Sequence, residues 1–401
     1  MTTASEKITT VFMNRAEALN QARELAPKIR ARAAQTEADR HVPPATIDEL
    51  INSGLCGIVT PKVFGGSELG FSSLVEVTAE IGAACGSTGW VFGVLTGHSW
   101  MLNLFPLQAQ HDVLADPRAL SATVYRLAGN VVREGAGFRL TNGEGRFCSG
   151  VDYAKWVIIG NGVKSENAPP ERGFFLVPID EVEVIDDWFT AGMRGTGSRS
   201  IKIANAFIPN HRYVSFKDLQ SGNTEGGLYH KDAIYRMPFM DLPPYSIIGA
   251  PLGMAKGAVR SFVEGIKGKL ANFSELQLAE QSAMLARIAT AATEIDTAYG
   301  LVVKSAEIID QASTAADLTP ELRARIPRDM AYAAQKCRYA VTSIFEINGS
   351  SGIYDSSELQ RIWRDVNSAA QHFAFTLDSA MTSYGRFLMG LAPTQFGPKG
   401  R

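Results

Sequence analysis

The sequence predicts an α+β protein with three successive parts: an N-terminal helical domain over residues 1–120, a small central β-barrel domain over residues 121–226, and a C-terminal four-helix bundle over residues 227–401. The spacing of apolar residues carries this prediction. It is helical up to about residue 120, has a period of two up to about residue 216, and is helical again from about residue 244. A chain of 401 residues is long enough for this organisation.

The N-terminal part has the pattern of several packed helices. Apolar residues recur at helical spacing between Ile47 and Leu55, after a turn marked by Pro43-Pro44. Thr46 is the expected cap of this helix. The stretch from Glu76 to Leu104 is almost entirely apolar, which predicts two deeply buried helices.

The central part predicts short strands separated by Gly, Asn, Asp and Pro. Several such strands in about one hundred residues are typical of a small barrel or sandwich. The composition of residues 220–227 indicates a flexible connector after them. The predicted strands are Phe138–Leu140, Trp156–Ile159, Gly173–Val177, Val182–Val184 and Ile201–Phe207.

The C-terminal part has the pattern of long helices with short connections, for which an antiparallel bundle is the expected arrangement. Leu276 to Ile309 follows a helical repeat. Thr319-Pro320 is a good helix start, and Ser356 or Ser357 is the expected cap of the last helix.

Composition excludes several classes of function. The net charge of −2 creates no strong attraction to nucleic acid or to anionic lipid. Neither a signal peptide nor a membrane-spanning stretch is apparent. The four cysteines form no CxxC pair, which argues against structural zinc and a disulfide framework and favours the reducing cytoplasm. The histidines have no paired spacing, so we expect no metal site.

Five local motifs stand in an order that carries a family resemblance. They are Leu50–Leu55 with Pro61–Gly66, Leu140–Gly150, Gly192–Ser198 with Ile208-Pro209, Gly249–Gly253, and Arg364-Asp365. Together they resemble the acyl-CoA dehydrogenase family over nearly the whole chain. The resemblance implies that family's helix, sheet and four-helix-bundle architecture.

Departures from that family are equally informative. The two places where its members carry a catalytic glutamate hold Phe373 and Pro243 here. In the dehydrogenases a Thr-Glu-Pro segment holds flavin and acyl substrate, and Ala122 to Arg126 stand in its place here. The Arg-x-x-Phe-Gly motif that clamps their cofactor is absent after Ser261. The resemblance therefore implies a scaffold without dehydrogenase chemistry, in which an FAD tail is held differently or FMN is used.

Gly195–Ser198, Phe147–Gly150 and His98 are similar to one branch of the family, the two-component (group D) flavin-dependent monooxygenases. That resemblance implies an oxygenase component that receives reduced FAD or FMN from a separate flavin reductase. With O2 it would form a C4a-hydroperoxyflavin and hydroxylate a small phenol- or indole-like substrate. The resemblance also implies a homotetramer.

Three alternatives stay open at this point. An N- or S-oxygenase of the same branch is the first. An FAD-dependent acyl-CoA dehydrogenase with a displaced base is the second. The third is a non-catalytic paralogue that serves as a structural subunit.

His372, Ser149 and His98 are the candidate catalytic residues. His372 precedes the vacant base position, and a histidine there can take a phenol or indole proton or stabilise a phenolate. The hydroxyl of Ser149 would lie near flavin N5, where it can both accept and donate. The alternatives are a helix histidine bonded to a neighbouring domain, a serine bonded to backbone, and a core histidine at position 98.

The resemblance also implies cofactor and substrate contacts. An aromatic wall for the substrate would come from Trp100, Phe239 and Phe373. The glycine-rich loop around Thr196 could receive a phosphate or ring edge through its N–H groups and hydroxyls, or serve only as a turn. The expected flavin contacts are Thr123, Phe147, Ser149, Trp188, Arg194, Thr196 and Ser198.

Overall fold

The fold was analysed in a computed structural model that describes residues 12–116, 118–165, 169–267 and 282–392. Over the described residues of the N-terminal part there are six α-helices, and the fourth and fifth of them confirm the predicted buried pair. α5 is buried at every position and packs against α4 and against the first long helix of the C-terminal part, which also contact each other. The helices are α1 (Arg15–Ala31), α2 (Ala33–Asp39), α3 (Pro44–Asn52), α4 (Phe71–Ala84), α5 (Gly86–Leu102) and α6 (Leu107–Leu114).

The predicted cap of α3 is wrong. The helix begins at Pro44, and Thr46 lies inside it, buried and accepting a hydrogen bond from Arg32 Nη1 at 3.0 Å. Proline suits the first helical position because its fixed φ is already helical and its missing N–H is not needed there. The helix therefore starts two residues before the threonine.

The central part is one eight-stranded sheet in the order β6-β7-β3-β2-β4-β5-β8, with β1 paired in parallel to β4. A separate hydrophobic cluster packs within it. The five predicted strands coincide with or overlap β3 to β7, whereas β1, β2 and β8 were not predicted. Every residue of β1 is buried, so it shows no alternation. The strands are β1 (Leu120–Val124), β2 (Ala128–Glu134), β3 (Gly137–Cys148), β4 (Ala154–Val163), β5 (Glu171–Pro178), β6 (Glu183–Ile185), β7 (Arg199–Pro209) and β8 (Tyr213–Ser215).

The flexible connector predicted over residues 220–227 is also wrong. This stretch contains the end of α7 (Phe216–Ser221) and most of α8 (Glu225–Tyr229), and Thr224 caps α8. Gly226 is buried, and a Cβ atom there would lie 1.8 Å from the carbonyl oxygen of Phe105. The glycine thus permits close packing of two backbones rather than flexibility.

The C-terminal part contains the predicted bundle, made of three long helices and one of 12 residues, and a further helix of 12 residues follows it. α9 packs against α10, α11 and α12 as well as α4 and α5, so it joins the two helical parts. Thr319 and Ser357 cap α11 and α12, as predicted. Residues 276–281 of the predicted repeat lie outside the described residues. The helices are α9 (Tyr245–Ile266), α10 (Ser282–Asp310), α11 (Pro320–Ile347), α12 (Glu358–Ala369) and α13 (Leu377–Leu388). Within the described chain, none of the helices combines the length and apolar character needed to cross a bilayer.

Candidate active site

The outer face of β1 forms one wall of the candidate site. Ala122 and Val124 point into the core of the sheet, so Ser121, Thr123 and Tyr125 alternate to the opposite face. β1 lies against α5, which supplies the facing residues. The Oγ1 atom of Thr123 is buried and has no hydrogen-bond partner among the described residues. A buried hydroxyl without a partner is costly, and a ligand that bonds to it would remove that cost.

His98 lies at one end of this wall. Its Nδ1 is 2.8 Å from the carbonyl oxygen of Ser121. Because a carbonyl can only accept, Nδ1 carries the hydrogen, and Nε2 is left with a free lone pair. Burial lowers the pKa of His98 to about 4. The imidazole is therefore neutral at pH 7 and acts as a hydrogen-bond acceptor through Nε2.

Tyr125 lies at the other end and joins the wall to the turn after α12. Its ring meets Phe373 edge to face, with centroids 6.3 Å apart, and Phe174 at 5.7 Å. Burial raises the pKa of Tyr125, so its hydroxyl keeps its hydrogen. That hydroxyl has no hydrogen-bond partner within the described residues. Phe373 is 62% exposed, which is unusual for a phenylalanine beside a core.

His372 occupies the same turn with the opposite tautomer. Its Nδ1 accepts a hydrogen bond from the backbone N–H of Ala374 at 3.3 Å, so Nε2 carries the hydrogen. Burial lowers its pKa to about 4. The ring meets Trp90 of α5 edge to face at 5.5 Å. The two histidines thus offer a neutral acceptor (His98) and a neutral donor (His372).

Four side chains beside His372 form a continuous hydrogen-bonded chain, here called the hydroxyl chain: Trp90, Ser149, Ser198 and Thr196. Trp90 Nε1 donates to Ser149 Oγ at 3.2 Å. Ser149 Oγ lies 2.7 Å from Ser198 Oγ, which lies 2.7 Å from Thr196 Oγ1. Thr196 Oγ1 donates to the carbonyl oxygen of Met193 at 2.8 Å. The chain connects α5 to the ends of β3 and β7.

The backbone of Met193 anchors the loop that carries two of these hydroxyls. Its carbonyl also accepts from Trp188 Nε1 at 3.0 Å, and its N–H donates to Asp365 Oδ1 at 2.5 Å. Arg364 Nη1 donates to the carbonyl of Ala191 at 2.9 Å. Burial raises the pKa of Asp365 to about 6. The Arg-Asp pair of α12 therefore holds the loop of the central sheet in place.

An exposed aromatic edge borders the hydroxyl chain. Phe147 is 69% exposed and meets Trp188 edge to face at 6.0 Å. Its φ of 64° lies in the left-handed region, within the irregularity of β3 between Gly145 and Cys148. Such a conformation is rare for a bulky residue and is found more often at functional sites. Arg194 is exposed, and its Nε donates to the carbonyl of Thr190 at 2.7 Å.

The structure thus brings most of the predicted residues onto four neighbouring elements, which are α5, β1, the loop of Met193 and the turn of His372, and the region between them is here called the crevice. Trp100 and Phe239 lie elsewhere. They are almost fully buried and stack on each other at 5.8 Å, which leaves no free wall between them. They connect to the crevice through Phe174, which touches both Phe239 and Tyr125. Within the described residues, no group of three or more His, Cys, Asp or Glu side chains is arranged to hold a metal ion.

Sequence reasoning missed four residues of this site: Trp90, Tyr125, Met193 and Asp365. Trp90 lies in a mostly apolar, fully buried helix, where an indole is interpreted as a core residue. Asp365 was used only to set the register of a motif. The only indication of its role in the sequence was that Asp365 stands next to Arg364 on an amphipathic helix.

Comparison with known proteins agrees with this geometry. Residues 15–114 match the acyl-CoA dehydrogenase N-terminal domain, and residues 245–377 match the acyl-CoA dehydrogenase C-terminal domain. The oxygenase subunit HsaA of a flavin-dependent monooxygenase from Mycobacterium tuberculosis is 33% identical over 92% of this chain and 94% of its own. The oxygenase component of an FADH2-dependent resorcinol hydroxylase from Rhizobium sp. is 32% identical over 92% of this chain and 93% of its own.

Solved structures show the same similarity in three dimensions. The crystal structure of HsaA from M. tuberculosis has a TM-score of 0.89 at 30% identity, covering 96% of this chain and 99% of its own. XiaF from Streptomyces sp., in complex with FADH2 and glycerol, has a TM-score of 0.86 at 27% identity, covering 96% and 97%. The chain belongs to the acyl-CoA dehydrogenase family. Within that family it is a flavin-dependent monooxygenase.

Proposed function

We propose that this chain is the oxygenase component of a two-component flavin-dependent monooxygenase, which uses reduced FAD or FMN and O2 to hydroxylate a small aromatic compound. One observation carries the proposal. Two neutral histidines with opposite tautomers, His98 and His372, flank a crevice in which Phe373 stands at the place of the dehydrogenase base. At neutral pH such a pair can accept one hydrogen bond and donate another without a carboxylate.

The crevice has groups that fit a flavin. Thr123 offers a buried hydroxyl that has no partner among the described residues, Ser149 has an unused lone pair, and Phe147 and Trp188 offer aromatic surface. Thr196 and Ser198 would fix the hydroxyl of Ser149, and Arg194 lies at the exposed end of the same loop. Bound reduced flavin supplies the oxygen chemistry, and the protein supplies binding and orientation. Solved relatives are described with FADH2 and with FMN, which supports either flavin.

Substrate would lie between the two histidines, beside Tyr125 and Phe373. Nε2 of His98 would accept a hydrogen bond from the O–H of a phenol or the N–H of an indole, and Nε2–H of His372 would donate a hydrogen bond to oxygen at the reacting end. Tyr125 would bond a polar group of the substrate, since its hydroxyl has no partner among the described residues. Trp100 and Phe239 would support this surface from behind, through Phe174. Curated relatives are named for resorcinol, p-hydroxyphenylacetate and indole-3-acetate, which supports an aromatic substrate.

A separate flavin reductase follows from the proposal, since the relatives are named as oxygenase components or subunits. A homotetramer is the proposed assembly. Large apolar side chains stay exposed on α10 and α11, including Leu285 at 49% and Tyr339 at 54%, and such surfaces are commonly covered by other subunits. The proposed location is the cytoplasm. The four free cysteines, three of them buried, support a reducing compartment.

The test supplies reduced flavin and heavy-isotope O2 to the purified protein with a panel of phenols and indoles. We expect one aromatic product that carries one heavy oxygen atom. Reduction of flavin by acyl-CoA substrates, without oxygen incorporation, would replace this function by a dehydrogenase. Failure to bind either form of flavin would indicate a structural subunit.

A further inference from the structure

The hydrogen atoms of the hydroxyl chain can run in one direction only. The carbonyl of Met193 has no hydrogen to give, so Thr196 must use its own hydrogen on that carbonyl. Thr196 Oγ1 is then an acceptor for Ser198, and Ser198 Oγ in turn is an acceptor for Ser149. At the other end Trp90 can only donate, and it donates to Ser149.

Ser149 is therefore an acceptor toward anything else that approaches it. Its hydrogen is used on Ser198, and one lone pair is used on Trp90. A hydroxyl oxygen has two lone pairs, so one remains free. A ligand atom that reaches Ser149 in this arrangement must bring its own hydrogen.

This direction distinguishes the two redox states of a flavin. Reduced flavin carries a hydrogen on N5, whereas oxidised flavin has a lone pair there. The direction of the hydroxyl chain would allow Ser149 Oγ to accept the N5 hydrogen of reduced flavin. With oxidised flavin, a lone pair of Ser149 Oγ would face the lone pair of N5. Leaving a buried acceptor opposite another acceptor costs about 1–3 kcal/mol.

We propose that Thr196 and Ser198, acting through Ser149, make this site selective for reduced over oxidised flavin by setting the direction of the hydroxyl chain. This inference rests on the proposed function, because it requires flavin in the crevice. Thr196 and Ser198 are positioning residues, and Ser149 Oγ is the atom that would meet N5 of the bound ring, as the family resemblance implies. Selection of this kind keeps spent oxidised flavin from competing with the reduced form.

The experiment measures dissociation constants of reduced and oxidised FMN and FAD, anaerobically, for the wild-type protein and four variants. In Ser198→Ala, the hydrogen of Ser149 loses its acceptor and can turn toward N5 of oxidised flavin. We expect oxidised flavin to bind about fivefold to tenfold more tightly while affinity for reduced flavin stays near the wild-type value. Ser149→Ala should instead weaken the reduced form and leave the oxidised form unchanged.

Thr196→Val is nearly isosteric and provides a second arm. Ser198 then has no hydroxyl to donate to, so it turns to Ser149, whose hydrogen is released as in Ser198→Ala. Thr78→Val is the matched control. The buried hydroxyl of Thr78 has no partner among the described residues, and it lies on α4 and is not part of the hydroxyl chain. This control should keep the wild-type ratio of the dissociation constants for oxidised and reduced flavin.

The midpoint potential of bound flavin is an independent readout. Tighter binding of the reduced form raises this potential above that of free flavin, and a tenfold loss of selectivity lowers it by about 30 mV for a two-electron couple. Wild-type ratios and potentials in both Ser198→Ala and Thr196→Val would overturn the inference and leave the proposed function intact. An equal loss of affinity for both flavin forms would overturn it as well, since that result would mean that the loop has only a structural role. Equal binding of both forms by the wild-type protein would contradict the inference and the role of flavin as cosubstrate together.

Discussion

The carboxylate of Asp365 accepts the backbone N–H of Met193 at 2.5 Å, across the boundary between α12 and the central sheet. Met193 is 5% exposed and has a left-handed φ of 56°, which is uncommon for a residue other than glycine. The carbonyl oxygen of the same residue accepts hydrogen bonds from Trp188 Nε1 and Thr196 Oγ1. One buried carboxylate thus holds the residue on whose carbonyl the hydroxyl chain ends.

Replacement of Asp365 should therefore affect both stability and flavin binding. In Asp365→Ala the buried N–H of Met193 has no acceptor, which costs about 1–3 kcal/mol in the free energy of unfolding. We expect weaker binding of reduced flavin in the same variant. Urea unfolding and anaerobic titration measure the two effects. Asp365→Asn keeps an acceptor oxygen and is the matched control; if it behaves like Asp365→Ala, the hydrogen bond to Met193 is not the reason.

His372 should matter for product formation rather than for folding. His372→Ala removes the Nε2–H donor and should slow hydroxylation by about 10²–10⁴-fold, with the consumed oxygen appearing as H2O2. Reduced-flavin binding should change little. His372→Gln keeps an N–H donor and should recover part of the rate. Product and H2O2 are quantified together, and tight coupling at the wild-type rate in His372→Ala would show that the Nε2–H of His372 takes no part in hydroxylation.

Burial of His98 predicts a dependence of stability on pH. Its pKa is about 4 in the folded protein against an ordinary value of 6.5. As pH falls below about 6.5, the unfolded chain takes up a proton that the folded protein refuses until about pH 4, so stability falls across this window. His98→Gln cannot titrate and should lose about 2–3 kcal/mol less over it.

Chemical denaturation at neutral pH and near pH 4.5 measures this difference. His111→Gln, at an exposed position, is the control and should follow the wild-type curve. If the free energy of unfolding of His98→Gln changes with pH in parallel with that of the wild-type protein, His98 is readily protonated in the folded protein.

Tyr125 should contribute to substrate binding and not to flavin binding. Tyr125→Phe removes a hydroxyl that has no partner among the described residues and keeps the ring contacts with Phe174 and Phe373. Loss of one hydrogen bond to the substrate should raise KM about fivefold to tenfold, with reduced-flavin affinity unchanged. Tyr339→Phe, on the exposed face of α11, is the control. An unchanged KM in Tyr125→Phe would remove this residue from the substrate site.

The sequence predicted what local pattern determines. The apolar run from Glu76 to Leu104 predicted two buried helices, and the period of two predicted five of the strands. Local pattern could not show that Trp90, Ser149 and Ser198 meet. They come from α5 and from the ends of two strands, and only tertiary packing brings them together.

Two further features also depend on packing. The exposed, left-handed Phe147 results from an irregularity between β3 and β7, which alternation alone does not reveal. The tautomers of His98 and His372 follow from a carbonyl and an N–H that approach them in the fold. The residue types could therefore be predicted, but the direction of each hydrogen bond could not.

Rapid mixing of the protein–reduced flavin complex with oxygenated buffer tests the central claim most directly. If the crevice holds reduced flavin for oxygen transfer, a transient species that absorbs in the near ultraviolet should form first, and oxidised flavin should appear only later. Return of oxidised flavin in a single step, at the rate of free reduced flavin, would contradict the account.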